Sequence, residues 1–451
     1  MNGKETTPKM PKGIPYIVGN ETAERFSYYG MKAILFTFFT QFMVDASGGV
    51  DTLSSTEATS WIHFFGFGVY FFPILGALLS DVLWGKYKTI IILSLVYCAG
   101  HLALAMNETR IGMLLGLTMI AIGSGGIKPC VSAHVGDQFD NSNKQLLEKI
   151  FSYFYLAINM GAAVSQILTP FILNNKTLIE KGLNAKIAFG LPGGLMILAT
   201  FIFWFGRNKF ISIPPVSWKE YKSKVFSKEG LSILKKLSSV FLFVLVFWSL
   251  FDQTATSIIH QASSPLVNKI IPIINYEILP SQVQALNPIL ILILVPLFTF
   301  VIYPKLSKKG KIPPLKKVSV GMFVTTVAYL ILVLIQFWIE QGSTVSILWQ
   351  FLSYLILTIA EVLVSITILE FAYTQAPREN KSLVMSLNML SIALGNLLAA
   401  GFNWLITDDK GQSVISDLSY FSIFTFLMFV TSIAFIYRAK SYQEKSYIQG
   451  A

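Results

Sequence analysis

The sequence contains few charged residues for its length. Of its 451 residues only 13% are charged, whereas 53% are hydrophobic. Ordinary soluble domains are about 25% charged, so this composition excludes a water-soluble protein of this size. The chain is therefore predicted to be a membrane protein.

Cysteine and histidine are also scarce. The two cysteines, Cys98 and Cys130, both lie in apolar stretches, so no disulfide framework is indicated. The HExxH signature of zinc proteases is absent. The four histidines are scattered over separate segments, at His63, His101, His134 and His260. These absences argue against an intramembrane metalloenzyme, and no metal or organic cofactor is expected.

Apolar runs of membrane length make up most of the chain. A membrane-spanning helix needs about 20 apolar residues, and runs bounded by charges and turn residues predict twelve spans. The first twenty residues have no apolar core, so no cleavable signal peptide is expected. The predicted spans are residues 23–46, 56–82, 87–106, 110–134, 148–173, 186–206, 236–262, 281–304, 317–339, 344–375, 380–407 and 416–438.

A basic, weakly apolar segment at 207–235 divides these spans into six and six. If both termini are cytoplasmic, cytoplasmic segments carry 26 of the 35 Lys and Arg residues and outer segments carry 6. This bias follows the positive-inside rule, which explains the net charge of +11 without nucleic acid. The pattern predicts an all-α membrane protein of the major facilitator fold. It has an N-terminal six-helix bundle (1–206), a cytoplasmic linker and a C-terminal six-helix bundle (236–451).

Ionisable residues in the first predicted span form one helical face. They recur at helical spacing as Glu21, Glu24, Arg25, Tyr28 and Lys32. A charge at mid-bilayer costs roughly 2.5 to 3.5 kcal/mol on insertion scales, so such residues indicate function. Glu21 also fits a solvated helix start, and snorkelling explains Arg25 or Lys32 alone but not both. The face is predicted to border a polar cavity.

A further base stands in the fourth predicted span. Lys128 follows the small residues of GSGGIKPC, which permit another helix to approach closely. A lone lysine in a span needs a carboxylate partner, and Glu21 and Glu24 are available in the same half. Protonation of Glu24 would free the base for an anionic ligand, so the cluster is predicted to have a proton-dependent state.

The second half supplies acids within its spans. Asp252 follows Trp248 by one helical turn in FWSLFDQ. Glu370 precedes Thr374 by one turn in LEFAYTQAP, and Pro377 then bends or ends that helix. Bases in one half and acids in the other suit a ligand with a carboxylate at one end and an ammonium at the other.

Two further features concern the walls of this cavity. Glu361 lies nine residues before Glu370, roughly on the opposite side of an α-helix, so it is predicted to pack against another element in a structural role. Aromatic residues at turn spacing from the charges are candidate walls: Tyr28, Tyr29, Tyr70, Trp248 and Tyr373.

Several motifs together resemble one known family. NETAERFSYYGMKAIL (20–35) is similar to the ExxERFxYYG motif of the proton-dependent oligopeptide transporter (POT) family of the major facilitator superfamily. IGSGGIKPCVSAHVGDQF (122–139) and FYLAINMGAA (154–163) resemble the two signatures of that family, and FWSLFDQ and LEFAYTQAP resemble its animal members. The resemblance implies a symporter that imports di- and tripeptides with protons by alternating access.

The resemblance also implies roles for individual residues. Proton coupling would involve Glu21, Glu24, Arg25 and Lys128. The peptide carboxylate would lie among Arg25, Lys32 and Lys128, and the amino terminus at Glu370 with Thr374 beside it. The peptide backbone and side chains would contact Asn159, Asn287, Tyr28, Tyr29, Tyr70 and Trp248. His63 would form a proton-sensitive outer gate with Asp252, or else it is a hydrogen-bonded core histidine.

Departures from the family leave some questions open. The linker is too short for the two extra helices of many bacterial members, and only 340–343 stands where animal members insert an extracellular domain. The chain therefore resembles a minimal twelve-helix member. Asn388 occupies a position where tryptophan is common, which leaves the side-chain pocket uncertain.

Two other kinds of transport protein remain as alternatives. A transporter of another anion, such as nitrate or an amino acid conjugate, would not need the acids Glu24 and Glu370. A channel would need a filter-like loop, which the sequence lacks. The expected partners are small peptides, protons and the lipid bilayer. The protein is expected to act as a monomer in the cell membrane.

Overall fold

The computed structural model describes residues 9–139, 143, 146–225, 227–272, 274–308, 312–375 and 381–442. This part of the chain is helical, mostly α-helical with short π-helical and 3-10 segments, apart from four two-residue strands and short loops. The helices are α1 (Ile14–Gln41), α2 (Ser55–Leu78), α3 (Lys86–Met106), α4 (Arg110–Asp137), α5 (Leu147–Leu173), α6 (Lys176–Glu180), α7 (Asn184–Phe205), α8 (Trp218–Val225), α9 (Lys228–Phe251), α10 (Ser257–Ser263), α11 (Leu286–Leu297), α12 (Tyr303–Ser307), α13 (Pro314–Glu340), α14 (Leu348–Glu361), α15 (Thr367–Thr374), α16 (Lys381–Leu405) and α17 (Asp417–Ser441).

The strands form two small pairs in the loops. β1 (Val267–Asn268) runs parallel to β4 (Val345–Ser346), and β2 (Ile270–Ile271) runs antiparallel to β3 (Tyr276–Glu277). The first pair joins the loop after α10 to the loop after α13, and the second lies within the loop after α10. The sheet pairs therefore fasten loops and contribute little to the core.

Eleven helical segments of the described chain are long and apolar enough to cross a membrane. α1 has the length but not the apolarity, because it carries Glu21, Glu24, Arg25 and Lys32. The architecture is therefore that of an all-helical membrane protein, with one helix whose charges must be shielded from lipid.

Two helices, α1 and α9, begin nine and eight residues earlier than the sequence predicted. α1 starts at Ile14 with Pro15 in its first turn, where the fixed φ of proline suits a helix start. Glu21 consequently lies inside the helix and is 3% exposed, which corrects its interpretation as a solvated helix start. α9 starts at Lys228, within the predicted linker, because the Ser227 side chain caps it by accepting from the Gly230 amide at 3.0 Å.

Two large apolar clusters form the core. One contains buried residues between 14 and 203 together with Ile259, and the other contains buried residues between 233 and 435. Tyr70 packs against both clusters, so it lies where they meet. The division into two bundles, with boundaries at residues 206 and 236, stays a prediction.

The two ends of the bundle are fastened by polar contacts. We call the end of the bundle that carries the loop between α1 and α2 the first-loop end. There Arg110 donates to Asp51 at 2.8 Å from both Nε and Nη2. These hydrogen bonds from the guanidinium hold the pKa of the Asp51 carboxyl below its usual value. The opposite end carries Gly13, just before α1. There the Gln138 side chain donates to the Ile211 carbonyl at 3.0 Å and accepts from the Ile211 amide at 2.9 Å.

Helices α2 and α4 meet through glycine. A methyl group on Gly76 would overlap the backbone of Gly126, so no larger residue fits without moving one helix. Close approach through small residues is a common way of packing helices in membranes, since lipid supplies no hydrophobic force between them.

We expect Gly76→Ala to destabilise the protein by about 1–3 kcal/mol, because the methyl group overpacks a backbone contact. The matched control is Gly136→Ala in α4, where an added methyl group meets no atom within 4 Å. Thermal unfolding of the purified protein measures both. Equal unfolding temperatures for the two variants would contradict the assigned contact.

Candidate functional site

The charged face of α1 is buried in the bundle. Arg25 Nε lies 2.7 Å from Glu21 Oε1 and 3.2 Å from Glu24 Oε2. Glu21 and Glu24 are 3% and 1% exposed. Among the described residues neither Glu24 oxygen meets the full geometry of a hydrogen bond. Its polar neighbours are Arg25, Lys128 and the hydroxyl of Tyr97.

Lys128 of α4 lies beside this cluster. Its ammonium stands over the rings of Tyr28 and Tyr70, at 4.7 and 4.4 Å from the ring centroids. It also lies within electrostatic range of Glu24 and Arg25. Lys128 therefore faces the interior and not lipid, and its contacts are cation–π contacts that a stronger anionic partner can replace.

A second ion pair joins the two apolar clusters. Lys32 Nζ of α1 lies 3.2 Å from Asp252 Oδ1, which directly follows α9. Asn396 of α16 donates from Nδ2 to Asp252 Oδ2 at 2.7 Å. The two remote halves of the sequence are thus connected through Asp252.

His63 of α2 belongs to the same network. Its Nδ1 lies 2.9 Å from Asn396 Oδ1, and its Nε2 lies 3.2 Å from Thr256 Oγ1. Because Asn396 uses its amide nitrogen on Asp252, its oxygen must accept, so His63 Nδ1 carries a proton and Nε2 accepts from Thr256. His63 is 1% exposed and meets Asp252 through Asn396, without a direct ion pair.

Glu361 of the second half lies near residues of both halves. Asn287 Nδ2 donates to Glu361 Oε2 at 2.6 Å and to Thr358 Oγ1 at 3.3 Å. Glu361 also lies within electrostatic range of Tyr29 and Tyr155 of the first half. Glu361 thus packs against another element, as predicted, through Asn287 at the start of α11. It also lies near residues of the first half, which the sequence did not predict.

Glu370 lies elsewhere on the same membrane crossing. It is exposed, one turn before the end of α15, and its described electrostatic neighbour is Tyr303 of α12, in its own half. Thr374 donates to the Phe371 carbonyl of its own helix at 2.9 Å. The structure thus does not bring Glu370 and Thr374 to the bases of α1 and α4. Pro377 lies outside the described residues.

A π-helical turn lies between these two acids. Val362–Ile366 is π-helical and separates Glu361 from Glu370. Such a turn holds more residues than an α-helical turn, so the angular position inferred from α-helical spacing does not carry across it. π-helical turns of this kind are frequent at functional sites.

Three of the remaining predicted residues are buried. Asn159 is 8% exposed and donates to the Tyr155 carbonyl of α5 at 2.9 Å. Trp248 is also 8% exposed, and its indole nitrogen lacks a hydrogen-bond partner among the described residues. Asn388 of α16 is 6% exposed, and its amide oxygen likewise has none there. These polar atoms remain free for a ligand or water.

Sequence reasoning missed two groups of residues. Asn396 gave no signal, because a single asparagine in an apolar helix is common. Ser27 and His101 form a buried contact at 2.8 Å between α1 and α3, behind Glu24. A histidine within an apolar run was visible in the sequence, but its partner on α1 was not. Among the described residues no His, Cys, Asp and Glu group could hold a metal ion.

Membrane-length helices that enclose buried, opposed charges between two halves define a secondary transporter. The PTR2 model, described as the POT family, matches residues 87–228 and 216–415. The chain belongs to the POT family. It is accordingly a multi-pass membrane protein of a transporter family.

Individual relatives agree with this assignment. Solute carrier family 15 member 2 of Mus musculus is 35% identical over 74% of this chain and 50% of its own length. Solute carrier family 15 member 1 of Homo sapiens is 31% identical over 89% of this chain and 63% of its own. The crystal structure of the POT family transporter PepTSo is 34% identical with a TM-score of 0.86, over 97% of this chain and 99% of that one. The chain thus spans about half the length of the first curated relatives it matches.

Proposed function

We propose that this protein is a symporter that imports di- and tripeptides with protons by alternating access. The observation that carries the proposal is the pair of opposed charged poles inside the bundle. The first half contributes Arg25 and Lys128, and the second half contributes Glu361. A short peptide is a zwitterion that matches both poles. Family membership and relatives called peptide transporters support the same substrate class.

The proposed topology has twelve transmembrane helices in two bundles of six, with both termini in the cytoplasm. The charged helix α1 supplies the twelfth span, since its 28 residues exceed the about 20 residues that a bilayer requires. The bias of Lys and Arg toward one set of loops supports the orientation. The first-loop end then faces outward, and the protein is proposed to act as a monomer.

Peptide recognition is proposed to divide between the halves. Arg25 and Lys128, with Lys32 nearby, attract the carboxylate, and Glu361 attracts the amino terminus. Asn159 and Asn287 offer amides for the peptide backbone, while Tyr28, Tyr29, Tyr70 and Trp248 supply the aromatic walls. The predicted role of Glu370 and Thr374 at the amino terminus moves to Glu361 in this proposal. Of the two glutamates, Glu361 is the one with described neighbours in the first half.

Glu24 is proposed to carry the coupled proton. Its carboxylate is buried, has one ionic contact at 3.2 Å to Arg25 and no hydrogen bond of full geometry within the described chain. When Glu24 is ionised, it holds Arg25 and Lys128. When it is protonated, both bases lose this partner and can bind the peptide carboxylate. Glu21 keeps Arg25 in place at 2.7 Å during the exchange.

A polar network is proposed to close the outward end of the transport path, here called the outer gate. Its members are Lys32, Asp252, Asn396 and His63. It joins α1, α2 and α16 around Asp252 at the first-loop side of the charged cluster. His63 Nε2 accepts from Thr256, and a proton placed on that nitrogen would reverse the bond, since the Thr256 hydroxyl can also accept. The added charge on the buried imidazole then favours opening, because a buried charge is costly. The proton is thereby admitted from outside before it reaches Glu24.

Asn396→Leu is expected to shift the equilibrium toward the outward-open state by about tenfold, because a hydrogen bond to a charged group contributes about 1.5 kcal/mol or more. The control is Asn403→Leu on the same helix, since Asn403 bonds within the second half, to Tyr420 at 3.0 Å. Distances between spin labels at Ser47 and Lys410, in a chain with Cys98 and Cys130 replaced by alanine, report the opening. An unchanged distance distribution in Asn396→Leu would remove this residue from the gate.

Uptake of a dipeptide into vesicles containing the purified protein, with an imposed pH gradient, tests the proposed function. Accumulation should require the gradient, and peptide should in turn drive proton entry. A channel would pass ions without peptide, and a transporter of another anion would ignore the dipeptide. Either result would overturn the assignment.

A further inference from the structure

A groove on the membrane-facing surface lies far from the charged cluster. It runs between α13 and α17 and has a cavity volume of about 790 Å³. Its wall consists of apolar side chains such as Val320, Val327 and Leu330 on α13 and Phe429 and Ile436 on α17. The transport proposal makes no use of this groove.

Polar groups inside the groove are already satisfied. Ser319 donates to the Leu315 carbonyl at 2.9 Å and Thr326 donates to the Met322 carbonyl at 3.3 Å, both within α13. The hydroxyls are therefore turned back onto their own helix. What remains for an occupant is an apolar surface along most of the groove.

Two lysines line one end of the groove. Lys316 lies in the first turn of α13 and Lys440 in the last turn of α17, and both are exposed. Among the described residues, neither makes an ion pair. The wall contains no acid, so this end of the groove is positively charged.

Neighbouring cations at the same end have partners within the protein. Lys317 stands over the ring of Tyr303 at 4.2 Å. Arg438 donates to Ser239 at 2.6 and 3.0 Å. Of these four cations, the two that border the groove are thus the ones left for an external anion.

The length of the groove matches one leaflet. Lys316 and Leu330 are 14 residues apart, which at about 1.5 Å per residue is about 21 Å along α13. One leaflet contributes about 15 Å of the hydrocarbon thickness, with the headgroup region beyond it. A phosphate between the lysines would therefore place an acyl chain along the apolar wall.

We propose that this groove is a binding site for one anionic phospholipid, with the phosphate between Lys316 and Lys440 and an acyl chain against Val320, Val327 and Phe429. Basic pockets between transmembrane helices are known to hold anionic headgroups. We assign a lipid and not a free phosphate, because a free phosphate would contact the lysines and leave the apolar wall uncovered.

Native mass spectrometry of the purified full chain, titrated with phosphatidylglycerol or phosphatidylcholine, tests the proposal. Each lysine near a membrane surface contributes about fivefold to anion binding, so Lys316→Gln with Lys440→Gln should weaken phosphatidylglycerol binding about 30-fold. Lys235→Gln with Lys236→Gln removes the same charge from exposed positions at the start of α9, outside the groove, and should leave binding unchanged. Phosphatidylcholine should bind weakly to all forms.

A groove-filling variant separates the lipid from a bare phosphate. Val327→Trp keeps both lysines at a position that is 48% exposed, and it should also weaken phosphatidylglycerol binding. Its thermal unfolding in phosphatidylcholine alone checks the fold. Full binding by Val327→Trp would overturn the acyl-chain part of the proposal. Full binding by the Lys316 and Lys440 variant, or equal loss in the Lys235 and Lys236 control, would overturn the site.

Discussion

Glu361→Gln is expected to raise the half-saturating dipeptide concentration by about 100-fold or more. The substitution leaves the ammonium of the peptide without a counter-charge in a buried site, which costs about 3–5 kcal/mol. Glutamine still accepts from Asn287, which contacts Glu361 at 2.6 Å, so the local packing should survive. Counterflow exchange of labelled dipeptide measures the effect without requiring a proton gradient.

Glu370→Gln is the matched control for this prediction. It removes the same charge from the same membrane crossing, at an exposed position, and it should leave the half-saturating concentration near its native value. A dipeptide analogue without its amino group sharpens the test. The native protein should strongly prefer the intact dipeptide, and Glu361→Gln should lose that preference. If Glu370→Gln instead abolishes the preference, the amino terminus binds where the sequence alone predicted.

Glu24→Gln should abolish accumulation driven by protons while sparing some exchange of peptide. One proton moving through 100 mV is worth about 2.3 kcal/mol, which corresponds to about 50-fold accumulation. Glutamine is buried like Glu24 but cannot exchange a proton, so the accumulation ratio should fall to about one. The measurement is dipeptide uptake into vesicles with an imposed pH gradient, beside counterflow exchange in the same vesicles.

Glu180→Gln serves as the control for Glu24→Gln, because Glu180 is an exposed carboxylate at the end of α6. Its accumulation ratio should equal that of the native chain. Concentrative uptake that persists in Glu24→Gln would assign the coupled proton to another group, and the buried carboxylate of Glu21 would be the next one to test.

Much of the fold could be predicted because its signals are local. Apolar runs of membrane length identify helices without knowledge of their neighbours, and eleven such helices are present in the described chain. Helix starts were less certain. α1 begins at Ile14 and α9 at Lys228 because Pro15 and the Ser227 cap act beyond the apolar runs from which the spans were predicted.

The charged cluster of the first half was also predictable. Glu21, Glu24 and Arg25 lie within two helical turns, so one helix brings them together whatever surrounds it. Their burial could also be predicted, because a charge exposed to lipid has a high free energy. The sequence by itself therefore determined a membrane protein with a charged interior face on its first helix.

Only the tertiary structure decided which residues of the second half meet that face. The π-helical turn at Val362–Ile366 resets the rotation of the helix between Glu361 and Glu370, and a sequence pattern with a fixed period cannot register it. The contact of Asn396 with both Asp252 and His63 depends on three helices that are remote in the chain. Local periodicity places a side chain on a face of its own helix, but the packing of the other helices determines what that face meets.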